Sequence, residues 1–213
     1  MRTADRPFIS HRALYILLAM SIASNIIIIV RVSYPKAIEN LRVRLQAQPV
    51  VTPADHIRGN ANATGTVIVY TDYQCPFCAR LHATMLDLSK TSDFRWIYRH
   101  FPLDSHPYAE KAAEAAECGG EQGKFWEYSD GLFDPKFTIE KDSSLRKLAA
   151  TIGLESKAFE NCLASGRFAS RVAAQRADGI KRRMAGTPTF FVNGTRFEGA
   201  ILADQLRRAL QHN

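Results

Sequence analysis

The sequence predicts an α/β domain built on one mixed sheet and preceded by a single N-terminal membrane-crossing helix. Three observations carry this expectation. A strand-like run, Thr66-Val67-Ile68-Val69-Tyr70, leads into Cys75-Pro76-Phe77-Cys78, where a helical pattern opens. A second strand signal at Phe94 to Phe101 is separated by a long helical stretch from a hairpin signal at Thr189 to Glu198. Finally, Ala13 to Val30 is an 18-residue run without a charged side chain.

As a helix that run spans about 27 Å, close to the hydrocarbon thickness of a bilayer. It predicts an anchor over residues 13–32 behind a short cytoplasmic tail, 1–12. A cleaved signal peptide is the competing reading, with Ser21-Ile22-Ala23 as a small-residue cleavage site. Against it, the most apolar part, Ile26 to Val30, follows that site. Arg2, Arg6 and Arg12 precede the run and Arg31, Lys36, Arg42 and Arg44 follow it, so flanking charge does not orient it. Four cysteines suit an oxidising compartment, which places the long C-terminal part on the extracytoplasmic side, periplasmic or extracellular. The formal charge is +7, of which residues 1–48 contribute +5. Basicity therefore belongs to the membrane flanks, where it meets anionic head groups, and it argues against a nucleic-acid partner.

Residues 33–60 read as stalk and linker. Lys36 to Gln48 alternates charge with Ile38, Leu41, Val43 and Leu45, and a polar stretch containing Pro and Gly follows. Residues 61–213 have the length of one domain with one core. Val67 to Thr71 reads as a buried strand, Pro76 to about Lys90 as a helix and Phe94 to Phe101 as a second strand. Helical patterns then run from Ser105 to Glu121, Gly123 to Phe133, Ser143 to Ile152, Lys157 to Leu163 and Arg167 to Met184, a helical block over about 104–184. Phe125, Trp126, Tyr128 and Phe133 recur at helical spacing and read as its core. Asn193-Gly194 is a strong two-residue hairpin signal joining Thr189–Val192 to Thr195–Glu198. Leu202 to Gln211 is the last helix. A parallel strand pair in such a sheet needs a crossover.

The chemistry concentrates at the two thiols. Pro76 stands at the first helical position, so free backbone N–H groups and the positive end of the helix dipole face Cys75 and favour its thiolate. Cys78 is within reach, and the pair can close, open and hand on a disulfide. The spacing is equally that of half a zinc site, but a strand-to-helix setting favours redox chemistry.

The chain resembles the DsbA-like branch of the thioredoxin superfamily of thiol:disulfide oxidoreductases, which carry a helical insertion in the thioredoxin fold. The resemblance rests on Thr71-Asp72-Tyr73-Gln74-Cys75-Pro76-Phe77-Cys78, Arg99-His100-Phe101-Pro102-Leu103, Gln122-Gly123-Lys124-Phe125-Trp126 and Gly186-Thr187-Pro188-Thr189-Phe190-Phe191-Val192-Asn193-Gly194, and it covers most of Ile57 to Gln211. It implies catalysis by Cys75 and Cys78 without a bound cofactor. It also implies a cis Thr187-Pro188 bond across from the Cys75 sulfur, with Thr187 a backbone contact for an extended substrate. In some relatives a second cysteine pair forms a structural bridge, which is the expectation for Cys118 and Cys162. On a chain-entropy account that bridge contributes roughly 4 kcal/mol; two unpaired buried cysteines are the alternative.

Three positions tune the site: Pro76, Phe77 and Asp72. Val69 stands six residues before Cys75, where many relatives carry a buried carboxylate. Asp72 is the nearest acid; it could serve through water, but at this place in the turn it reads as solvated or capping the next helix. Phe77 replaces the histidine of strongly oxidising members, which leaves the thiolate less stabilised. His82, His100 and His106 are candidates for a place near the site, but each reads rather as a surface or satisfied core histidine. The expected activity is disulfide formation in exported proteins with reduced or mispaired cysteines. A quinone-linked membrane oxidase or reductase would be the recycling partner. The alternatives are a reductase or isomerase of the same fold, or a non-catalytic metal-binding module.

Overall fold

A computed structural model describes residues 49–211 and centres on strand β2 (Gly65–Thr71), whose Val67, Ile68, Val69 and Tyr70 are all buried. A run apolar on both sides is what a strand covered on both faces requires. Strands β1 (His56–Gly59), β3 (Phe94–His100), β4 (Thr189–Val192) and β5 (Thr195–Glu198) complete one sheet in the order β1-β3-β2-β4-β5. Only β2 and β3 are parallel, and α1 (Pro76–Ser89) is the crossover between them. The remaining helices are α2 (Ala109–Glu121), α3 (Phe125–Leu132), α4 (Asp142–Thr151), α5 (Ser156–Ser165), α6 (Ala169–Lys181) and α7 (Ala203–Gln211).

β1 lies in the stretch that the sequence assigns to the linker. It is a four-residue edge strand, His-Ile-Arg-Gly, whose side chains alternate between half-buried and exposed. Its apolar content is too low to signal a strand, and only pairing with Trp96, Ile97 and Tyr98 of β3 creates one. Helix α6 stops at Lys181, short of the predicted Met184, because Arg183 turns left-handed at φ 56°. Among the described residues no helix is long and apolar enough to cross a membrane. The predicted anchor at 13–32 lies outside them.

The core has three parts. On one face of the sheet Val67, Val69, Trp96, Phe190 and Val192 meet Leu81, Met85 and Leu88 of α1 and Leu206 of α7. The buried α1 residues recur at 78, 81, 82, 85 and 88, the stripe of a helix with one face on a sheet. On the opposite face Ile68, Tyr70, Ile97 and Phe191 pack with Phe101 and Met184. The helical insertion has its own core, in which Phe125, Tyr128, Phe133, Leu145 and Phe159 surround the alanines of α2. Tyr73, Cys75, Cys78 and Tyr98 belong to that cluster, so the insertion packs directly against the start of α1. Cys118 of α2 and Cys162 of α5 are joined by a disulfide with a Cα–Cα distance of 5.8 Å.

Candidate active site: a dithiol at a helix start

Cys75 is the N-cap residue of α1, with Pro76 first in the helix and no side chain capping it. The unpaired N–H groups of the first turn are therefore left to the Cys75 sulfur. Both cysteines are free thiols and both are buried. The two sulfurs are not equivalent. A hydrogen bond from Cys78 acts most strongly on Cys75, and with the Thr187 side chain and the N–H groups of Cys78 and Phe77 it brings the Cys75 pKa down to about 5, against the effect of burial. Burial, reinforced by the negative Cys75 sulfur, pushes the Cys78 thiol far up. The result is one thiolate at neutral pH and one retained proton.

The opposite wall comes from β4. Tyr70 pairs with Thr189, so the residues just before Thr189 stand level with the turn that ends β2. The Thr187–Pro188 peptide bond is cis. As a thiol, Cys75 Sγ donates to the Thr187 carbonyl at 3.3 Å. The Thr187 hydroxyl is buried and, the Cys75 sulfur apart, has no hydrogen-bond partner among the described residues. The structure thus brings Cys75, Cys78, Pro76, Thr187 and Pro188 together. Cys118 and Cys162 are bonded to each other within the helical insertion, in the same buried cluster as Cys75 and Cys78.

Phe77 is 50 % exposed, and the Arg80 guanidinium sits 4.3 Å above its ring. A cation therefore stands beside the position where a histidine is missing, supplied from one helical turn further on. Sequence reasoning did not single out Arg80; an Arg three residues after an exposed aromatic on a helix is the available signal.

Asp72 requires a correction. The sequence reads it as solvated or capping, but its side chain is fully buried. Oδ1 accepts from Gln74 N–H at 2.7 Å, while Oδ2 accepts from Leu103 N–H at 2.8 Å and meets His106 Nδ1 at 2.8 Å. A loop 31 to 34 residues downstream in sequence supplies two of these three partners, which a local reading of the turn cannot see. The Asp72 N–H in turn donates to Cys78 Sγ at 3.5 Å. Gln74 also ties the turn outward: it accepts from Tyr108 N–H at 2.7 Å and donates to the Ile139 carbonyl at 3.2 Å.

His82 and His100 are each paired with an acid, the partly exposed Asp130 and the buried Glu117. His82 Nε2 lies 2.9 Å from Asp130, which Arg58 clamps through two bonds of 2.9 and 2.7 Å. His100 and His56 each meet Glu117 at 2.9 Å, and Arg171 Nε lies 3.1 Å from the same carboxylate. Burial would raise the Glu117 pKa, but the bonds from His100 and His56 hold it at about 2. Among the described residues no cluster of His, Cys, Asp and Glu has the arrangement of a metal site.

Residues 51–212 match the family model described as Thioredoxin. The chain is 38 % identical over 164 residues to part of the Na(+)/H(+) antiporter NhaA 1 of Salinispora arenicola, an alignment covering 76 % of this chain and 25 % of that protein. It thus spans about a quarter of the length of the curated relatives it matches. Among solved structures, a thioredoxin-like oxidoreductase from Silicibacter pomeroyi is 25 % identical with a TM-score of 0.69, over 75 % of this chain and 92 % of that one. The thiol-disulfide exchange protein α-DsbA2 of Wolbachia pipientis shares the fold at 18 % identity and a TM-score of 0.67, over 82 % and 92 %. With a buried dithiol at the start of α1 and helices inserted between β3 and β4, the chain belongs to the thioredoxin family.

Proposed function

We propose that the protein forms disulfides in exported proteins, with Cys75 as the exchanging sulfur and Cys78 as its resolving partner. The observation that carries this reading is the inequality of the two thiols. A Cys75 pKa of about 5 stabilises the reduced enzyme as a thiolate, so the disulfide form is eager to accept electrons. A client thiolate attacks Cys75 of the Cys75–Cys78 disulfide and Cys78 leaves with the electron pair. A second client thiolate then attacks the client sulfur of the mixed disulfide, releasing Cys75 as the stabilised thiolate. Thr187 and Pro188 form the wall along which an extended client lies, held through main-chain hydrogen bonds. A quinone-linked membrane oxidase would return the pair to the disulfide, and the apolar run Ala13–Val30 would hold the domain on the extracytoplasmic face of the membrane. No bound cofactor is needed, since the cysteines carry the electrons.

One observation favours a second reading, a reductase or isomerase using the same sulfurs: Phe77 offers no hydrogen-bond donor to Cys75 from its side chain. The equilibrium of Cys75–Cys78 against glutathione separates the two. A potential near that of DsbA, about −120 mV, is expected for the oxidase, and one near that of thioredoxin, about −270 mV, rejects it. Cys75→Ser should abolish exchange and Cys78→Ser should accumulate mixed disulfides with clients; traps forming as well at Cys118 would refute the assignment.

A further inference from the structure

Resolution by Cys78 poses a proton problem that the β2 core does not solve. The thiol is buried, with its pKa pushed far up, and yet it must lose a proton to attack and regain one to leave. Val69, buried in β2 between Tyr98 and Phe190, has no group that can carry it. The turn Asp72–Gln74, which contacts the sulfur, offers one. Asp72 is fused by its own backbone to the Cys78 contact, since its N–H reaches Cys78 Sγ at 3.5 Å. Bond lengths within one residue keep its carboxylate oxygens within about 7 Å of that sulfur. One or two waters bridge such a gap.

The same carboxylate is bonded to His106 at 2.8 Å, and His106 is 24 % exposed against complete burial for Asp72. The imidazole lines an open groove of about 330 Å³ between the β3–α2 loop and α6. Leu103 N–H and Gln74 N–H hold the carboxylate in place, so its orientation does not depend on His106. The charged groups facing the histidine are Asp104 from its own loop, Glu110 of α2 and Arg176 of α6, whose guanidinium is engaged by Asp104 at 2.8 Å.

We propose that Asp72 is the acid–base group of the resolving step and that His106 is its positioning partner, connecting it to solvent protons. This rests on the oxidoreductase reading above. In resolution, Cys78 gives its proton through water to the Asp72–His106 pair and forms a bond to the Cys75 sulfur. The bond from Cys75 to the client breaks, and the client sulfur leaves with the electron pair as thiolate. In the opposite direction a client thiolate attacks Cys75, the Cys75–Cys78 bond breaks, Cys78 departs with the pair, and the proton returns to it from the same place. Cys75 needs no such help, because it is already ionised. The asymmetry gives the pair a role in one half of the reaction only.

The test mixes the reduced full chain, in detergent, with excess oxidised glutathione and quenches in acid at intervals. This separates formation of the mixed disulfide at Cys75 from its resolution by Cys78, which releases the second glutathione. Asp72→Asn should slow resolution on the order of 100-fold while leaving formation within about twofold. His106→Gln should remove an inflection from the pH profile of resolution but not from that of formation. Added imidazole, entering the open groove, should restore resolution in His106→Ala. Equal slowing of both steps, or unchanged resolution in the variants, overturns the relay. If Asp72→Asn fails to fold, the His106 profile and its rescue decide, and a profile that neither substitution nor imidazole moves refutes the relay. A wild-type chain that forms no mixed disulfide at Cys75 overturns the oxidoreductase reading and the relay together.

Discussion

At the scale of single residues, the site is governed by which group faces each sulfur. The Cys75 pKa of about 5 predicts a break in the pH dependence of the reduction potential. Below the break two protons accompany two electrons, and above it only Cys78 takes one. The potential should fall by about 60 mV per pH unit below pH 5 and about 30 mV per unit above it. Equilibration with glutathione buffers from pH 4 to 9 measures this. A constant steep slope to pH 8 would mean that Cys75 is not acidic. The sign also fixes the stability of the reduced form. A group depressed from the ordinary 9.0 to about 5 stabilises fully above pH 9 and loses that contribution as pH falls towards 5.

Phe77 allows a second prediction. Its ring is half exposed and carries Arg80 above it, so the cation nearest this position is solvated and weakly coupled to the thiolate. Phe77→His adds a donor directly at the residue between the cysteines. The substitution should lower the Cys75 pKa further and raise the potential by about 30 mV for each tenfold gain in thiolate stabilisation. Iodoacetamide alkylation across pH, with the glutathione equilibrium, reads both. A potential that stays put would show that Phe77 does not tune the sulfur.

At the scale of elements, Glu117 holds three pieces to α2. His56 reaches it from β1, His100 from the end of β3 and Arg171 from α6. Glu117→Ala leaves the buried His100 without its partner and Arg171 without a counter-charge. The expected cost is about 3 kcal/mol, because removing one member of a buried ionic cluster strands the others. Urea unfolding measures it, and a change below about 1 kcal/mol would mean that water replaces the carboxylate. The pH dependence follows from the same group. Its contribution is present above the ordinary 4.5 and disappears as pH falls through about 2, so the wild type should lose this advantage over the variant in strong acid.

Local patterns made most elements legible. The α1 stripe, the two central strands and the Asn193–Gly194 turn, with φ of 47° and 84°, are short-range features that the residues dictate. β1 was not legible, because His56 to Gly59 acquires its strand character from β3. The environment of Asp72 was hidden for the same kind of reason: Leu103 and His106 reach it only once β3 has returned the chain to the level of Thr71, where Phe101 N–H donates to the Thr71 carbonyl at 2.8 Å.

At the scale of the whole molecule, the helical insertion is both a separate core and the roof of the active site. Its disulfide closes a 44-residue separation between α2 and α5, remote in sequence from the exchanging pair. Cys118→Ala with Cys162→Ala should destabilise the protein by about 2–4 kcal/mol while sparing exchange at Cys75. Thermal denaturation and insulin reduction test the two halves of that statement. Loss of exchange in a folded variant would mean that the second pair participates in the chemistry.

The sequence alone determined the order of elements from β2 onward, the dithiol at a strand-to-helix junction and the loop that precedes β4. Each of these is written in neighbours a few residues apart, where backbone preference and side-chain periodicity act. Only the tertiary structure decided how deeply Cys78 is buried, that Asp72 is buried, and that the partly exposed His106 bonds to it. Those outcomes depend on burial and on donors brought from distant parts of the chain, and neither exists until the sheet and the insertion have packed together.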